Sequence, residues 1–168
     1  MIRPGVSTNY GKEWICDFIK KNFFNSSEII DFGAGSGTYK RLLGEDYINV
    51  DAVDCWKPFY EDLSKLYRNV YIEDLRDFNF NKKYDLAIFG DVLEHLSVKD
   101  ARSIIDKAKS NCKHILVGVP YCYKQGSLYG NDAEIHIQDD ITFEIFKMRY
   151  PEFKFIFGRF DFYGYYYL

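Results

Sequence analysis

The sequence predicts a doubly wound α/β sheet, seven strands wide and mostly parallel, with one antiparallel strand near an edge. Three observations carry that prediction. Short apolar runs rich in β-branched residues alternate with helix-periodic segments as far as Pro120. A glycine-rich turn, Gly33, Gly35 and Gly37, ends the first of those runs. Two aromatic runs then close the chain across a short turn, which forces antiparallel pairing where the earlier crossovers force parallel pairing.

The elements follow in order. Asn9 to Asn22 reads as a helix, with Trp14, Ile15, Phe18 and Ile19 on one face. Glu28 to Phe32 is the first strand, followed beyond the glycines by a helix from about Gly37 to Leu43. The second strand is Tyr47 to Val53, and Trp56 to Leu66 is a crossover helix with Pro58 in its first turn, where a missing N–H is harmless. Val70 to Ile72 and Tyr84 to Phe89 are the third and fourth strands. Ser97 and Asp100 form a capping box that opens a helix reaching Ser110. The fifth strand is His114 to Val119, and a loop rich in Tyr, Gly, Asn and Asp follows. Asp140 to Tyr150 is a helix stopped by Pro151, because the residue before proline avoids helical geometry. Phe153 to Phe157 and Phe160 to Tyr167 are the aromatic strands, read as core strands with an edge suited to self-association in a homodimer.

The 168 residues fit a single domain spanning 1–168. A formal net charge of −3 and the absence of any Lys/Arg run argue against a nucleic-acid partner. No apolar run approaches the roughly 20 residues that cross a bilayer, so no membrane association is expected. Met1 to Gly5 lacks the apolar core of a signal peptide. Cys16, Cys55, Cys112 and Cys122 contain no C-x-x-C pair, which points to reduced thiols and a cytoplasmic protein.

Ligands of such sheets lie beyond the carboxyl ends of the strands, so the residues after each strand carry the chemistry. Asp31-Phe32-Gly33-Ala34-Gly35-Ser36-Gly37 is D-x-G-x-G-x-G, and Thr38 stands where the dinucleotide fingerprint has its last glycine. The segment resembles motif I of the class I S-adenosylmethionine-dependent methyltransferases, a Rossmann-like family. Later segments resemble that family in order, from about Tyr10 to Leu168. The resemblance implies S-adenosylmethionine as cofactor, with Asp31, Gly33, Ala34, Gly35 and Gly37 around its methionine and sulfonium end.

Asp54, seventeen residues beyond Gly37, is placed to accept both ribose hydroxyls, with Asp51 as its competitor. The family carries an acid or amide after strand three. Asp74 is therefore assigned to the adenine amino group and the Leu75 backbone to the ring, with Glu73 and Asp77 as alternatives. Gly90-Asp91-Val92-Leu93-Glu94-His95 resembles the D/E-x-x-E-H segment of small-molecule O-methyltransferases, including those of ubiquinone biosynthesis, where it is associated with a divalent metal. Asp91 is counted with the cofactor residues and His95 with the catalytic ones. Asp91, Glu94 and His95 stand at i, i+3 and i+4, a spacing that one helical turn gathers, but no metal is assigned. Glu94 and His95 as mere helix-capping residues remain the alternative.

Pro120, and Glu134 with His136 further on, match the family's proline and E-x-H lid. His136 is the second catalytic candidate, as a general base or as a lid fastener. Tyr10 is a candidate to close over the cofactor. The loop Tyr121 to Asp139, with Tyr123 and Tyr129, would cover the acceptor. These assignments imply methyl transfer to a hydroxyl of a small molecule or a sugar or glycan building block. No N-P-P-Y element follows strand four, which weakens base amino-group methylation. An NAD-dependent oxidoreductase and a non-catalytic binding module are the rival readings.

Overall fold

The computed structural model describes residues 8–168, Tyr129 excepted; Met1 to Gly5 and Tyr129 of the preceding section lie outside the described residues. Seven strands form one sheet: β1 (Ile29–Phe32), β2 (Val50–Asp54), β3 (Asn69–Ile72), β4 (Tyr84–Gly90), β5 (Cys112–Pro120), β6 (Lys154–Arg159) and β7 (Tyr163–Tyr167). Their spatial order is β3-β2-β1-β4-β5-β7-β6. The first five pair in parallel, and β7 runs antiparallel to both β5 and β6. The mostly parallel sheet with one antiparallel strand next to the edge is the architecture that the sequence predicts.

Helices cover both faces. On one, α1 (Lys12–Asn22) and α2 (Thr38–Leu43) pack Ile15, Cys16, Ile19, Tyr39 and Leu43 against Ile29, Val50 and Leu86. Ile15 and Ile19 lie one turn apart and are wholly buried, each contributing about 1.5–3 kcal/mol of hydrophobic stabilisation. On the other, α4 (Val98–Asn111) and α5 (Phe143–Arg149) pack Ala101, Ile104, Ile105 and Phe146 over Phe32, Ala87 and Val117. The Ser97 hydroxyl accepts from the Asp100 N–H at 3.1 Å, the cap that the sequence announces.

Three helices are shorter than expected, and the first of them, α1, begins at Lys12 rather than Asn9, after a left-handed Gly11 at φ 70°. Beyond β2 the chain makes a 3-10 turn, Lys57–Phe59, and only one turn of α-helix, α3 (Tyr60–Leu63). The Ser64 hydroxyl there donates to the Tyr60 carbonyl at 2.7 Å, the kind of local bond that competes with helix continuation. α5 begins at Phe143 because Thr142 caps it, its Oγ1 accepting from the Ile145 N–H at 3.1 Å. Trp14, read on one face with Ile15, Phe18 and Ile19, is 41% exposed and stacks on Phe157, whereas Ile15 and Ile19 are wholly buried.

The aromatic C-terminus is mostly core. Tyr163 and Tyr165 pack on the α1 face of β7 and Tyr166 on the α5 face, all three fully buried. What remains for self-association is the β6 edge with Phe160 and Phe162 in the turn after it. β7 also has a consequence for the site. Being antiparallel, it brings its first residue, Tyr163, opposite Pro120 at the carboxyl end of β5.

Candidate functional site

A cavity of about 670 Å³ opens along the carboxyl edge of the sheet. Its walls are the segments after β1, β2, β3 and β4, the loop after β5, and the β6–β7 turn. Among the described lining residues are seven carboxylates, Asp54, Glu73, Asp74, Asp91, Glu94, Asp132 and Glu134, against Arg76 and two histidines. An acidic wall attracts a cationic ligand and repels a pyrophosphate.

The glycine turn forms the floor at one end. Gly33, Gly35 and Gly37 all have positive φ, at 65°, 53° and 81°. Gly33 has no room for a side chain either, since a Cβ there would stand 2.5 Å from Val92 Cγ2. Gly33 and Gly35 line the cavity, whereas Asp31, Ala34 and Gly37 are not among its described lining. Asp31 lies beneath the turn, fully buried, accepting from the Tyr67 hydroxyl at 2.5 Å while its Oδ1 has no partner. Burial pushes its carboxyl up to about 7, against the lowering effect of the Tyr67 hydrogen bond and Lys12.

Asp54 is the last residue of β2, not the first beyond it, and its carboxylate faces the cavity. Oδ2 accepts from the Gly35 N–H and Oδ1 from the Trp56 N–H, both at 2.8 Å, which leaves each oxygen one further acceptor position. Burial raises its pKa, and the two backbone donors oppose that. Its competitor Asp51 is wholly inside the sheet, held by Arg68, Lys82, Asn69 and Tyr84. Burial works against the ionised form of Asp51, but those donors outweigh it and hold the carboxyl at about 2. Asp51 is structural.

Asp74 and Leu75 line the wall after β3. The Asp74 carboxylate is engaged by Arg76, whose Nη2 lies 2.5 Å from Oδ2, and this hydrogen bond lowers its pKa. Phe59 and Val53 supply apolar surface nearby. An apolar slot rimmed by carboxylates at Asp54 and Asp74 fits an adenosine whose ribose and amino group both donate.

Beyond β4, Asp91 adopts a left-handed conformation, φ 57°, unusual outside glycine. That kink separates it from the 3-10 turn Leu93–His95, so the two acids and the histidine do not share a helical face as their spacing suggests. Asp91 accepts from the Tyr163 hydroxyl at 2.8 Å, and the buried Lys12 ammonium lies 3.2 Å from its other oxygen. Lys12 and Tyr163 escaped the sequence reading because each comes from a distant element. Tyr10 is half-buried, packed against Phe157 and Phe162.

At the far end the loop after β5 folds over the 3-10 turn. The Glu94 carbonyl accepts from the Ile137 and Gln138 N–H groups, at 2.8 and 2.9 Å. The same fold brings the rings of His95 and His136 to 4.6 Å, edge to face. His95 Nδ1 lies 3.3 Å from the Ile135 carbonyl and His136 Nδ1 2.7 Å from the Tyr123 carbonyl. Burial, and then His136 beside it, lower the His95 pKa to about 4. Burial lowers that of His136 as well. Both imidazoles are therefore neutral at neutral pH.

Glycine turn, acid-lined slot and sheet topology together define an enzyme built to hold a cationic nucleoside cofactor. Comparison with known proteins supplies the family. A family model described as a methyltransferase domain matches residues 30–114. The chain belongs to the class I methyltransferases, and its cofactor is S-adenosylmethionine. An S-adenosylmethionine-dependent methyltransferase from Clostridium acetobutylicum superposes with a TM-score of 0.70 at 13% identity, covering 96% of this chain and 92% of that one. Magnesium protoporphyrin IX methyltransferase from Synechocystis, solved with the cofactor bound, gives 0.61 at 14% identity over 96% and 84%. The 1,6-didemethyltoxoflavin-N1-methyltransferase of Burkholderia thailandensis, with its substrate and S-adenosylhomocysteine, gives 0.68 at 15% identity over 94% and 77%. No curated protein matches the chain by sequence. The family membership retires the NAD-dependent and the non-catalytic readings.

Proposed function

We propose that this methyltransferase acts on a hydroxyl of a small molecule or sugar building block. One observation carries the reading: a single cavity joins the glycine turn and Asp54 at one end to two neutral imidazoles, His95 and His136, at the other. When bound, the sulfonium cofactor supplies a methyl group that is already activated. The tasks left to the chain are binding, alignment and removal of the acceptor proton.

Asp54 takes the ribose hydroxyls, while Gly33 and Gly35 admit the methionine end with their bare backbone. Leu75 and Asp74 meet the adenine, and Asp31, Ala34 and Gly37 shape the turn from below. Asp91, paired with Lys12, faces the cationic centre of the ligand. The acceptor enters beneath the loop after β5, its oxygen held about 3–3.5 Å from the methyl carbon. An imidazole at this end of the cavity would take the acceptor's hydroxyl proton during transfer and pass it on to solvent. His136 suits that role better, because the low pKa of His95 makes it a weak base.

The bound substrate in the Burkholderia relative is methylated at a nitrogen by that enzyme's name, so the fold leaves the acceptor atom open. None of the described helices is long and apolar enough to cross a membrane. We read it as a cytoplasmic protein that acts as one domain on a diffusible acceptor. The test is turnover of S-adenosylmethionine, read as S-adenosylhomocysteine formed, against matched panels of phenols, sugars, amines and carboxylic acids. Hydroxyl compounds are expected to turn over; activity confined to amines or carboxylates would overturn the assignment.

A further inference from the structure

Glu94 is the least satisfied group in the site. It is 1% exposed and lines the cavity, and neither carboxylate oxygen has a hydrogen-bond partner among the described residues. A buried carboxyl without partners is costly, and the cost falls when a ligand brings the missing donors. Other acids of the wall already have theirs. Asp54 accepts from Gly35 and Trp56, Asp74 from Arg76, and Asp91 from Tyr163. Glu134 lies 3.4 Å from Gln125 Nε2 and from Asn131 Nδ2.

Charge decides what kind of ligand can serve Glu94. The acceptor side of the cavity carries Glu94, Asp132 and Glu134, and its two imidazoles are neutral. Arg76, the one arginine of the described lining, is bound to Asp74 on the wall after β3. A carboxylate or phosphate guest is repelled by such a surface and a cation is attracted. Burial and then Asp91 push the Glu94 carboxyl well above its ordinary range, and a cation in contact acts in the opposite direction.

Distance sets the shape of that ligand. A carboxylate oxygen of Glu94 and one ring nitrogen each of His95 and His136 lie within 4.8 Å of one another. His136 Nδ1 donates to the Tyr123 carbonyl at 2.7 Å, since a carbonyl can only accept, so Nε2 keeps its lone pair for the acceptor hydroxyl. A molecule that meets Glu94 with one group and His136 with another, through hydrogen bonds of about 2.8 Å, carries the two groups about 3–5 Å apart.

We propose that Glu94 binds an ammonium group of the methyl acceptor, whose hydroxyl stands on a neighbouring or next-neighbouring carbon. The acceptor class is then a compact amino alcohol, an amino sugar or an aminomethyl phenol. A protonated amine has no lone pair, so at Glu94 it is held and not methylated, while the hydroxyl faces His136. This acceptor class rests on the hydroxyl-methylation reading; the contact between Glu94 and an ammonium does not.

The test is calorimetric titration at neutral pH of the chain saturated with S-adenosylhomocysteine. The probes are 2-hydroxybenzylamine against 2-methylphenol and salicylate, glucosamine against 2-deoxyglucose, and benzylamine, which lacks the hydroxyl. Each amine is expected to bind at least about tenfold tighter than its neutral counterpart, with salicylate weakest. Glu94→Gln should bring amine and neutral probe within about threefold of each other, and its affinity for S-adenosylhomocysteine reports that it is folded. The wild-type series needs no variant. Neutral probes or salicylate binding as tightly as the amines would overturn the proposal, as would failure of every amine to bind, or an amine preference that survives in folded Glu94→Gln. Benzylamine binding that depends on Glu94, with no hydroxyl compound methylated on oxygen, would instead defeat the functional reading and leave the ammonium site standing.

Discussion

Replacing Asp54 by alanine removes two sets of interactions at once. Inside the protein, the Gly35 and Trp56 N–H groups lose the carboxylate that they share at 2.8 Å. In the complex, two ribose hydroxyls lose a charged acceptor. Hydrogen bonds to a charged group contribute about 1.5–3 kcal/mol each, so the ligand stands to lose about 3–6 kcal/mol. That is a fall in affinity of about a hundredfold to ten-thousandfold. The internal loss is smaller, about 1–3 kcal/mol, because the freed N–H groups at the cavity wall can turn to water; it lowers the Tm by roughly 3–10 °C. Asp54→Asn keeps an oxygen for one N–H group and one hydroxyl, and should fall between the two. The assay is a thermal melt without ligand, then calorimetric titration with S-adenosylhomocysteine. A folded Asp54→Ala chain that binds within about threefold of the wild type would refute the placement of the ribose.

Three other predictions follow from the same geometry. Gly33→Ala forces a left-handed alanine whose Cβ lies 2.5 Å from Val92 Cγ2, costing about 2–4 kcal/mol, so both Tm and cofactor affinity should drop; unchanged affinity would separate the turn from the ligand. Asp31 has its folded pKa raised from 3.8 to about 7, so its stability is fully present below pH ~4 and is lost as pH rises through ~7. Asp31→Asn, which can still accept from Tyr67, should therefore match the wild type in melts near pH 4 and exceed it above pH 7, by up to about 4 kcal/mol; equal melting at pH 8 would contradict the buried charge. Arg68→Leu strips the fully buried Asp51 of a bidentate partner, leaving Lys82, and should cost about 3 kcal/mol in denaturant titrations. The folded pKa of Asp51, about 2 in the wild type, should rise in that variant, so acid unfolding begins at higher pH.

Much of this protein is legible in one dimension because its determinants are local. Strand-to-helix alternation, the Ser97 cap, the stop before Pro151 and the glycine triplet each depend on residues within a few positions of one another, and all of them stand in the structure. The parallel pairing of the first five strands follows from the crossovers between them, whereas their spatial order does not. Spacing alone does not separate Asp51 from Asp54. Both are acids near one strand end, and only the partners brought in by β3, β4 and the glycine turn make one structural and leave the other facing the ligand.

The acceptor side was decided wholly in three dimensions. Spacing put Asp91, Glu94 and His95 on one helical turn, but the left-handed backbone at Asp91 broke that turn and gave its carboxylate to Tyr163 and Lys12. In exchange the loop after β5 delivered His136 beside His95, through hydrogen bonds to the Glu94 carbonyl. Sequence determines which short-range elements a chain can form, since those depend on neighbours and periodicity. Which distant side chains then share a buried volume depends on how loops close and which polar groups find partners, and that is settled only when the whole sheet has assembled.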